Sequence, residues 1–225
     1  MAINGKTERL EGDNQDFTVF ANSVASFQRP RGTSLEDRAS GFYNWQDTRR
    51  ESGLWFYSRS LSRKPGPITD IRSDNGLPFS GINFASQDYL GLAGHSKVIE
   101  AASEALERFG PHSAGSPTLL GNTTLSLQLE HEIGDALHMP EVVLFPTGWG
   151  AGFGAIAGLV RPYDHIVIDR LAHACLHQGT AAATKNVHRT EHLCVESIEE
   201  HLRRIRSEDD RNMILVVTEG LFSMD

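Results

Sequence analysis

The stretch VVLFPTGWGAGFG, residues 142–154, joins an apolar run to a run of small residues through a turn that contains glycine. The continuous apolar run at 142–145 predicts a short strand that is buried on both faces. The small residues that follow predict a helix. Because the first amides of a helix lack internal partners and the helix dipole is positive there, this junction predicts an anion-binding site.

Three residues of the turn suit a phosphate group. Gly148 would let the backbone approach the phosphate closely, Thr147 can add a hydroxyl donor, and Trp149 offers a flat face or an indole N–H. The alternative is a helix of small residues that packs tightly on a sheet, in which three glycines only permit close approach: Gly152, Gly154 and Gly158. The run fits neither the dinucleotide-binding fingerprint nor the P-loop, since it lacks the acidic residue of the first and the lysine of the second.

Strands alternate with helices from residue 142 to the end. The apolar runs HIVI and MILVVT predict strands, NVHRT predicts a weaker one, and the spacing of Ile198, Leu202 and Ile205 predicts a helix with these side chains inward. This alternation is typical of βαβ units with a mostly parallel sheet. We therefore predict an α/β fold with an incomplete, mostly parallel sheet of about four strands.

The first 80 residues follow a different pattern. Residues 1–16 are polar and predict a flexible lead, and apolar positions within 17–64 predict a helix that is broken or bent near Gly53. Extended pieces around turns follow. We place a boundary near residue 80, so that 1–80 form an N-terminal helical extension and 81–225 begin the larger domain.

Two helices precede the opening stretch. The first spans SKVIEAASEALERF with Ser96 as its expected N-cap, and the second spans TTLSLQLEHEIGDAL, capped by Thr123 or Thr124. The glycine-rich loop between them is long for a plain connection, which favours a role in a site.

The composition bounds the function. The chain has 225 residues, is 39% hydrophobic and 22% charged, and carries a formal net charge of −8. An acidic balance without a basic stripe argues against a surface for nucleic acid or anionic lipid. With no signal peptide and no apolar stretch of membrane-spanning length, we expect a soluble cytoplasmic protein. The chain has two cysteines, Cys175 and Cys194, and the sequence does not decide whether they form a disulfide.

The stretch DRLAHACLH supplies candidate site residues. His173 and His177 are spaced i, i+4, which could place two imidazoles on one helix face for a metal, yet no third ligand can be nominated. One buried and one exposed histidine is the commoner arrangement. His173 at a strand-to-helix turn can also stack on a planar aromatic cofactor, and this interpretation fits better.

The stretch VVTEGLFSMD adds a carboxylate. Glu219 follows a predicted buried strand, and Ser223 and Asp225 come next. Ligands of open α/β sheets lie at the carboxyl ends of strands, so this is a ligand position, although it could also be an ordinary polar strand end. A further turn, DYLGL at 88–92, leads into a helix.

Taken in order, these motifs resemble one family, the α-oxoamine synthases. The matching stretches are DYLGL, GSPTLLGN with LQLEHEIGDAL, FPTGWGAG, DRLAHACLHQG and VVTEGLFSMD, from about residue 80 to 225. Cys175 stands where the family pattern carries serine. The resemblance implies the N-terminal portion of the large domain of a fold-type I enzyme that uses pyridoxal 5′-phosphate (PLP).

The resemblance also implies roles for individual residues. The amides of Gly148 and Trp149, with Thr147, would hold the cofactor phosphate. His173 would be the catalytic residue and would also bind the cofactor by stacking on its pyridine ring. Three further residues would complete the contacts: Glu219 and Ser223 near the cofactor and Gln87 near the substrate. At position 87 many family members carry asparagine.

The implied reaction condenses an amino acid with an acyl thioester of CoA or a carrier protein. The family's Schiff-base lysine normally lies beyond the SMD motif, and none of the four lysines of this chain matches it: Lys6, Lys64, Lys97 and Lys185. We therefore expect a truncated large domain that is inactive alone, and a homodimer or a pairing with a complete protomer. A non-catalytic partner subunit and, less well supported, a metal-dependent hydrolase that uses His173 and His177 are the alternatives.

Overall fold

The computed structural model describes residues 22–74 and 76–223, and the chain divides into two compact units, Met1–Gly110 and Pro111–Asp225. The polar lead predicted for residues 1–16 lies outside the described residues, as does Asp225. The boundary predicted near residue 80 stays a prediction. Each unit is described by itself.

The first unit combines helices with a small antiparallel sheet. Its elements are a 3-10 turn at Val24–Phe27, α1 at Leu35–Glu51, β1 at Ser60–Leu61, β2 at Ile68–Arg72, β3 at Pro78–Ile82 and α2 at Ser96–Phe109. The strands pair antiparallel in the order β1-β2-β3.

Helix α1 ends close to Gly53, where the sequence predicts a break or a bend. It stops at Glu51, and the apolar positions that follow do not resume the helix, since Leu61 lies in β1. Gly53 has a φ of 67°, the left-handed conformation that ends helices and that glycine adopts at little cost. The N-cap of α2 is His95, one residue before the predicted Ser96.

The second unit holds the parallel sheet. Its elements are α3 at Thr124–Leu137, α4 at Gly148–Leu159, β4 at His165–Asp169, α5 at Ala174–Ala183, β5 at Val187–Thr190, α6 at Val195–Glu208 and β6 at Ile214–Val217. The strand order is β5-β4-β6, and both pairings are parallel. The predicted βαβ alternation is confirmed.

The order of the strands positions the site. The chain moves from β4 through α5 to β5 on one side, then returns through α6 to β6 on the other side of β4. Because such crossovers are right-handed, these opposite moves place α5 and α6 on opposite faces of the sheet. The carboxyl end of β4 is therefore a point where the strand order reverses, the place where open α/β sheets bind ligands.

Strand β4 is the centre of the core. Its residues Ile166, Val167 and Ile168 have no exposed surface. Successive side chains of a strand point to opposite faces, so the two isoleucines share one face. That face is covered by a buried apolar cluster: Ile156, Val160, Ala172, Val217 and Phe222. Ile205 of α6 is buried as well, as its predicted inward position requires.

The prediction of a strand at 142–145 is wrong. Residues 142–145 form no strand, and Val143 and Phe145 are exposed. An apolar run favours extended backbone, but a strand also needs a neighbour for its ladder of hydrogen bonds. Both sides of β4 are already occupied by β5 and β6, and no described strand pairs with 142–145.

Two further sequence questions are decided here. Cys175 and Cys194 are both free thiols, so they form no disulfide with each other. Within residues 22–74 and 76–223, no helix is long and apolar enough to cross a membrane.

Candidate functional site

The N-terminus of α4 carries two unused amides. Thr147 has extended backbone, and its Oγ1 accepts a hydrogen bond from the Gly150 amide at 2.9 Å. The Ala151 amide donates to the Thr147 carbonyl at 2.9 Å. In the described part of the chain, the amides of Gly148 and Trp149 have no hydrogen-bond partner. Two outward N–H groups at the positive end of a helix dipole are the donors that an anion needs.

The same helix end is open to a ligand. An added Cβ at Gly148 would meet nothing within 4 Å. Thr147 and Gly148 are exposed, and Trp149 is 45% exposed. A group the size of a phosphate can therefore reach both amides without displacing the surrounding protein.

His173 lies beside this helix end. It is the N-cap of α5, and its Nδ1 accepts a hydrogen bond from the Cys175 amide at 3.2 Å. The Cys175 Sγ lies 3.0 Å from the same nitrogen. The His173 and Trp149 rings meet edge to face, with centroids 5.7 Å apart and an interplanar angle of 76°. The fold thus brings a flat imidazole next to the two free amides.

Glu219 is a further residue of the site and belongs to the loop after β6, the strand that pairs with β4. It follows β6, and its Oε2 accepts a hydrogen bond from the His173 backbone amide at 2.6 Å. This bond links the loops that follow β4 and β6. Four of the predicted site positions, Gly148, Trp149, His173 and Glu219, therefore gather at one edge of the sheet, with Thr147 as the helix cap.

Two further predicted site residues are Ser223 and Gln87. Ser223 is exposed at the last described position of the chain. Gln87 is exposed in the connection between β3 and α2 of the first unit. Their proposed contacts with cofactor and substrate stay predictions.

Asp169 at the end of β4 is structural. It is 3% exposed and accepts hydrogen bonds from the Leu171 amide at 2.8 Å and the Leu193 amide at 2.9 Å, while His192 Nδ1 lies 3.0 Å away. Burial by itself raises the pKa of Asp169, but the hydrogen bonds from His192 and the two amides outweigh it and lower the pKa. Through these hydrogen bonds, Asp169 connects the loop after β4 to the loop after β5.

Sequence reasoning missed His192. Its ring packs edge-on against Phe222, with centroids 4.6 Å apart, in addition to its contact with Asp169. His192 and Phe222 thereby couple the loops after β5 and β6. The only local signal was a histidine shortly after a weak strand, which by itself does not indicate a partner 23 residues away.

Close packing explains two of the three glycines in α4. A Cβ at Gly152 would lie 2.7 Å from Cys175 Sγ, and one at Gly154 would lie 2.8 Å from Phe145 Cε1. At Gly158 an added Cβ would meet nothing within 4 Å. The close-approach interpretation therefore holds for Gly152 and Gly154 but not for Gly158.

The histidine pair does not gather further ligands. His177 Nε2 lies 3.3 Å from the Arg170 carbonyl, and His173 Nδ1 is engaged by Cys175. Across residues 22–74 and 76–223, no three His, Cys, Asp or Glu side chains lie together as a metal would require.

The described lysine of the second unit lies away from the site edge. Lys185 is exposed just before β5, at the amino edge of the parallel sheet, whereas His173 and Glu219 lie at the carboxyl edge. In the first unit, the Lys64 Nζ donates to the Gly94 carbonyl at 3.0 Å.

Comparison with known proteins identifies the relatives of the chain. It is 35% identical over 144 residues to the 8-amino-7-oxononanoate synthase of Pectobacterium atrosepticum, a match that covers 64% of this chain and 36% of the relative. It is 31% identical over 191 residues to the serine palmitoyltransferase of Sphingobacterium spiritivorum, covering 85% and 46%. The chain is homologous to the α-oxoamine synthases. It spans less than half the length of these α-oxoamine synthases, and its sequence matches no protein-family model.

Solved structures agree with this similarity to the α-oxoamine synthases. The serine palmitoyltransferase of S. paucimobilis with a bound PLP–myriocin aldimine superposes with a TM-score of 0.75 at 25% identity, covering 85% of this chain and 48% of that one. The Sphingomonas wittichii serine palmitoyltransferase gives the same TM-score and identity. The chain therefore has part of the fold-type I transferase fold, as the sequence predicts.

Proposed function

We propose that this chain forms part of a PLP-dependent α-oxoamine synthase, which condenses an amino acid with an acyl thioester of CoA or a carrier protein. The observation that carries the proposal is the pair of free amides at Gly148 and Trp149, next to the imidazole of His173. The homologues named above support the reaction class.

The residues present fit the cofactor. A phosphate ester needs several N–H donors in a row and positive potential, which the first turn of α4 supplies. The Thr147 hydroxyl, whose oxygen caps the helix, keeps its proton to donate to the same group. The planar ring of His173 suits an aromatic ring that the phosphate holds in place.

Glu219 keeps His173 in position. Its carboxylate holds the His173 backbone at 2.6 Å, so the imidazole is fixed at the start of α5 rather than carried on a free loop. When bound, PLP supplies an electron sink for a carbanion at the amino acid Cα. The protein residues bind the phosphate and orient the ring for that chemistry. We assign Ser223 to the cofactor surroundings and Gln87 to substrate contact.

A second part of the proposal concerns the amine that forms the Schiff base. Schiff-base chemistry requires an amine at the site, and Lys185, the described lysine of the second unit, lies at the opposite edge of the parallel sheet. We therefore propose that this chain binds PLP but does not complete the reaction alone. We further propose that it acts in the cytoplasm, either as a homodimer or paired with a complete protomer. The same observation favours a non-catalytic partner subunit as the second candidate function.

Binding of pyridoxine 5′-phosphate tests the cofactor site. This analogue has no aldehyde, so it cannot form adducts with surface lysines. We expect isothermal titration to show binding at least about tenfold tighter than that of pyridoxine, because charge-assisted hydrogen bonds to phosphate are worth about 1.5–3 kcal/mol. Equal affinity for the two compounds, or no binding, contradicts the proposal.

A matched pair of variants locates the ring. His173→Ala is expected to weaken pyridoxine 5′-phosphate binding, whereas His177→Ala, one turn later in the same helix, is expected to leave it unchanged. Incubation with PLP, borohydride reduction and dialysis then tests the second part of the proposal. A stable adduct on one specific lysine contradicts it.

A further inference from the structure

We propose that Cys175 is a positioning residue whose thiol holds the His173 imidazole against α4, an inference that rests on the proposed cofactor role of His173. The Cys175 Sγ lies 3.0 Å from His173 Nδ1. The thiol is free, and Cys175 is 6% exposed. A buried thiol this close to a ring nitrogen acts as a hydrogen-bond donor to it.

One residue grips the imidazole with two groups. The Cys175 amide donates to His173 Nδ1 at 3.2 Å, and the thiol contacts the same nitrogen. Since Nδ1 accepts, the neutral ring carries its proton on Nε2. The amide sets this tautomer, and the thiol adds a second contact that restricts rotation of the ring.

Helix α4 fixes the thiol in turn. A Cβ at Gly152 would lie 2.7 Å from Cys175 Sγ, so the thiol sits directly against the backbone of α4. Trp149 lies three residues earlier on the same face of α4, and the centroid of its ring is 5.7 Å from that of the His173 ring. The imidazole and the thiol are therefore both placed relative to the helix whose first amides are proposed to hold the phosphate.

This arrangement gives Cys175 a specific task. The distance between a phosphate site on α4 and a stacking ring on α5 depends on how closely the two helices approach and on how the ring is turned. Gly152 permits the close approach of α4 and α5, and Cys175 sets the orientation of the His173 ring. Without the thiol, the phosphate amides remain intact but the ring loses its fixed orientation.

The test compares Cys175→Ala with Cys175→Ser. We expect the alanine variant to bind pyridoxine 5′-phosphate about three- to tenfold more weakly, the cost of one hydrogen bond, and the serine variant to restore binding because its hydroxyl can donate to Nδ1. Affinity for inorganic phosphate is expected to change less than about twofold in both, since the helix amides are untouched. Circular dichroism checks that each variant folds.

A spectroscopic readout tests the contact without any ligand. In a Cys194→Ser background, the infrared S–H stretching band reports Cys175 alone. We expect His173→Ala, which removes the acceptor, to shift this band to higher frequency, because a hydrogen-bonded S–H stretches at lower frequency than a free one.

The outcomes separate two failures. If the unsubstituted chain does not bind pyridoxine 5′-phosphate, the proposed function fails and the positioning role falls with it. If the unsubstituted chain and Cys175→Ala bind equally well, only the positioning role is overturned. An S–H band that does not respond to His173→Ala overturns the contact on which the role depends.

Discussion

The Glu219 carboxylate accepts a 2.6 Å hydrogen bond from the backbone amide of His173, 46 residues earlier in the chain. The bond ties the carboxyl ends of β4 and β6 together at the point where the strand order reverses. It also caps the first turn of α5 from outside the helix, so it contributes to the stability of the second unit as well as to the proposed site.

Glu219→Ala is expected to destabilise the chain by about 1–2 kcal/mol, because a partly buried N–H is left without an acceptor. Glu219→Gln keeps an acceptor oxygen and is expected to lose less. Urea unfolding of the three proteins measures the difference. As a control, Glu191→Ala removes an exposed ion pair with Arg170 and is expected to cost at most about 1 kcal/mol. A Glu219→Ala loss no larger than that of the control contradicts the prediction.

Thr147 is expected to stabilise α4 as its N-cap. Thr147→Val keeps the shape of the side chain but removes the oxygen that accepts from the Gly150 amide, and we expect a loss of about 1 kcal/mol. Thr147→Ser retains the oxygen and should stay close to the unsubstituted protein. Thermal unfolding followed by circular dichroism distinguishes them, and equal midpoints for the valine and serine variants would show that the cap bond contributes nothing.

Two glycines in α4 give a matched test of helix packing. Gly152→Ala places a methyl group 2.7 Å from Cys175 Sγ and is expected to destabilise by about 1–3 kcal/mol through overpacking. Gly158→Ala meets nothing within 4 Å and should stabilise by up to about 1 kcal/mol, since alanine favours helix. Urea midpoints measure both effects. Opposite signs are the expected result, and destabilisation by both substitutions contradicts it.

A histidine network on the α6 side of the sheet predicts pH-dependent stability. His165 Nδ1 lies 3.1 Å from His188 Nε2, and His165 Nε2 lies 3.1 Å from the Asp209 carboxylate. An Arg204 nitrogen lies 2.8 Å from His201 Nδ1 and 3.4 Å from His188 Nδ1. Several groups that carry or can acquire positive charge therefore surround His188.

Burial, followed by the charges of His165, His201 and Arg204, lowers the pKa of His188, and Glu208 opposes the shift. The unfolded chain thus takes up a proton at this histidine more readily than the folded chain. Stability is retained above about pH 6.5, the usual histidine pKa, and falls as the pH drops below it. His188→Gln is expected to reduce the loss between pH 7.5 and 5.5.

Urea midpoints across that pH range provide the measurement. His131→Gln is the control, because this histidine lies on α3 with its side chain 77% exposed. We expect the control to keep the pH dependence of the unsubstituted protein. An identical pH dependence in His188→Gln would falsify the assignment to this network.

Local pattern predicted most of the second unit. The elements α3, α4, β4, α5, β5, α6 and β6 all lie where periodicity and apolar runs placed them. The prediction failed at 142–145, where the apolar run satisfies local preference but finds no strand beside it. The break near Gly53 is present, but the prediction failed for the apolar positions after it, which do not resume a helix once the left-handed Gly53 has turned the backbone. Both failures concern interactions or backbone angles that a hydrophobic pattern does not report.

The sequence by itself determined the order of helices and strands and the Thr123 cap of α3, because these depend on residues within about one helical turn of each other. Only the tertiary structure decided that Glu219 meets His173, that Asp169 meets His192 and that Cys175 grips the imidazole against Gly152. The first two contacts join residues 46 and 23 positions apart, and they exist because β5 and β6 flank β4. Strand order is set by the packing of the whole unit, which no local stretch encodes.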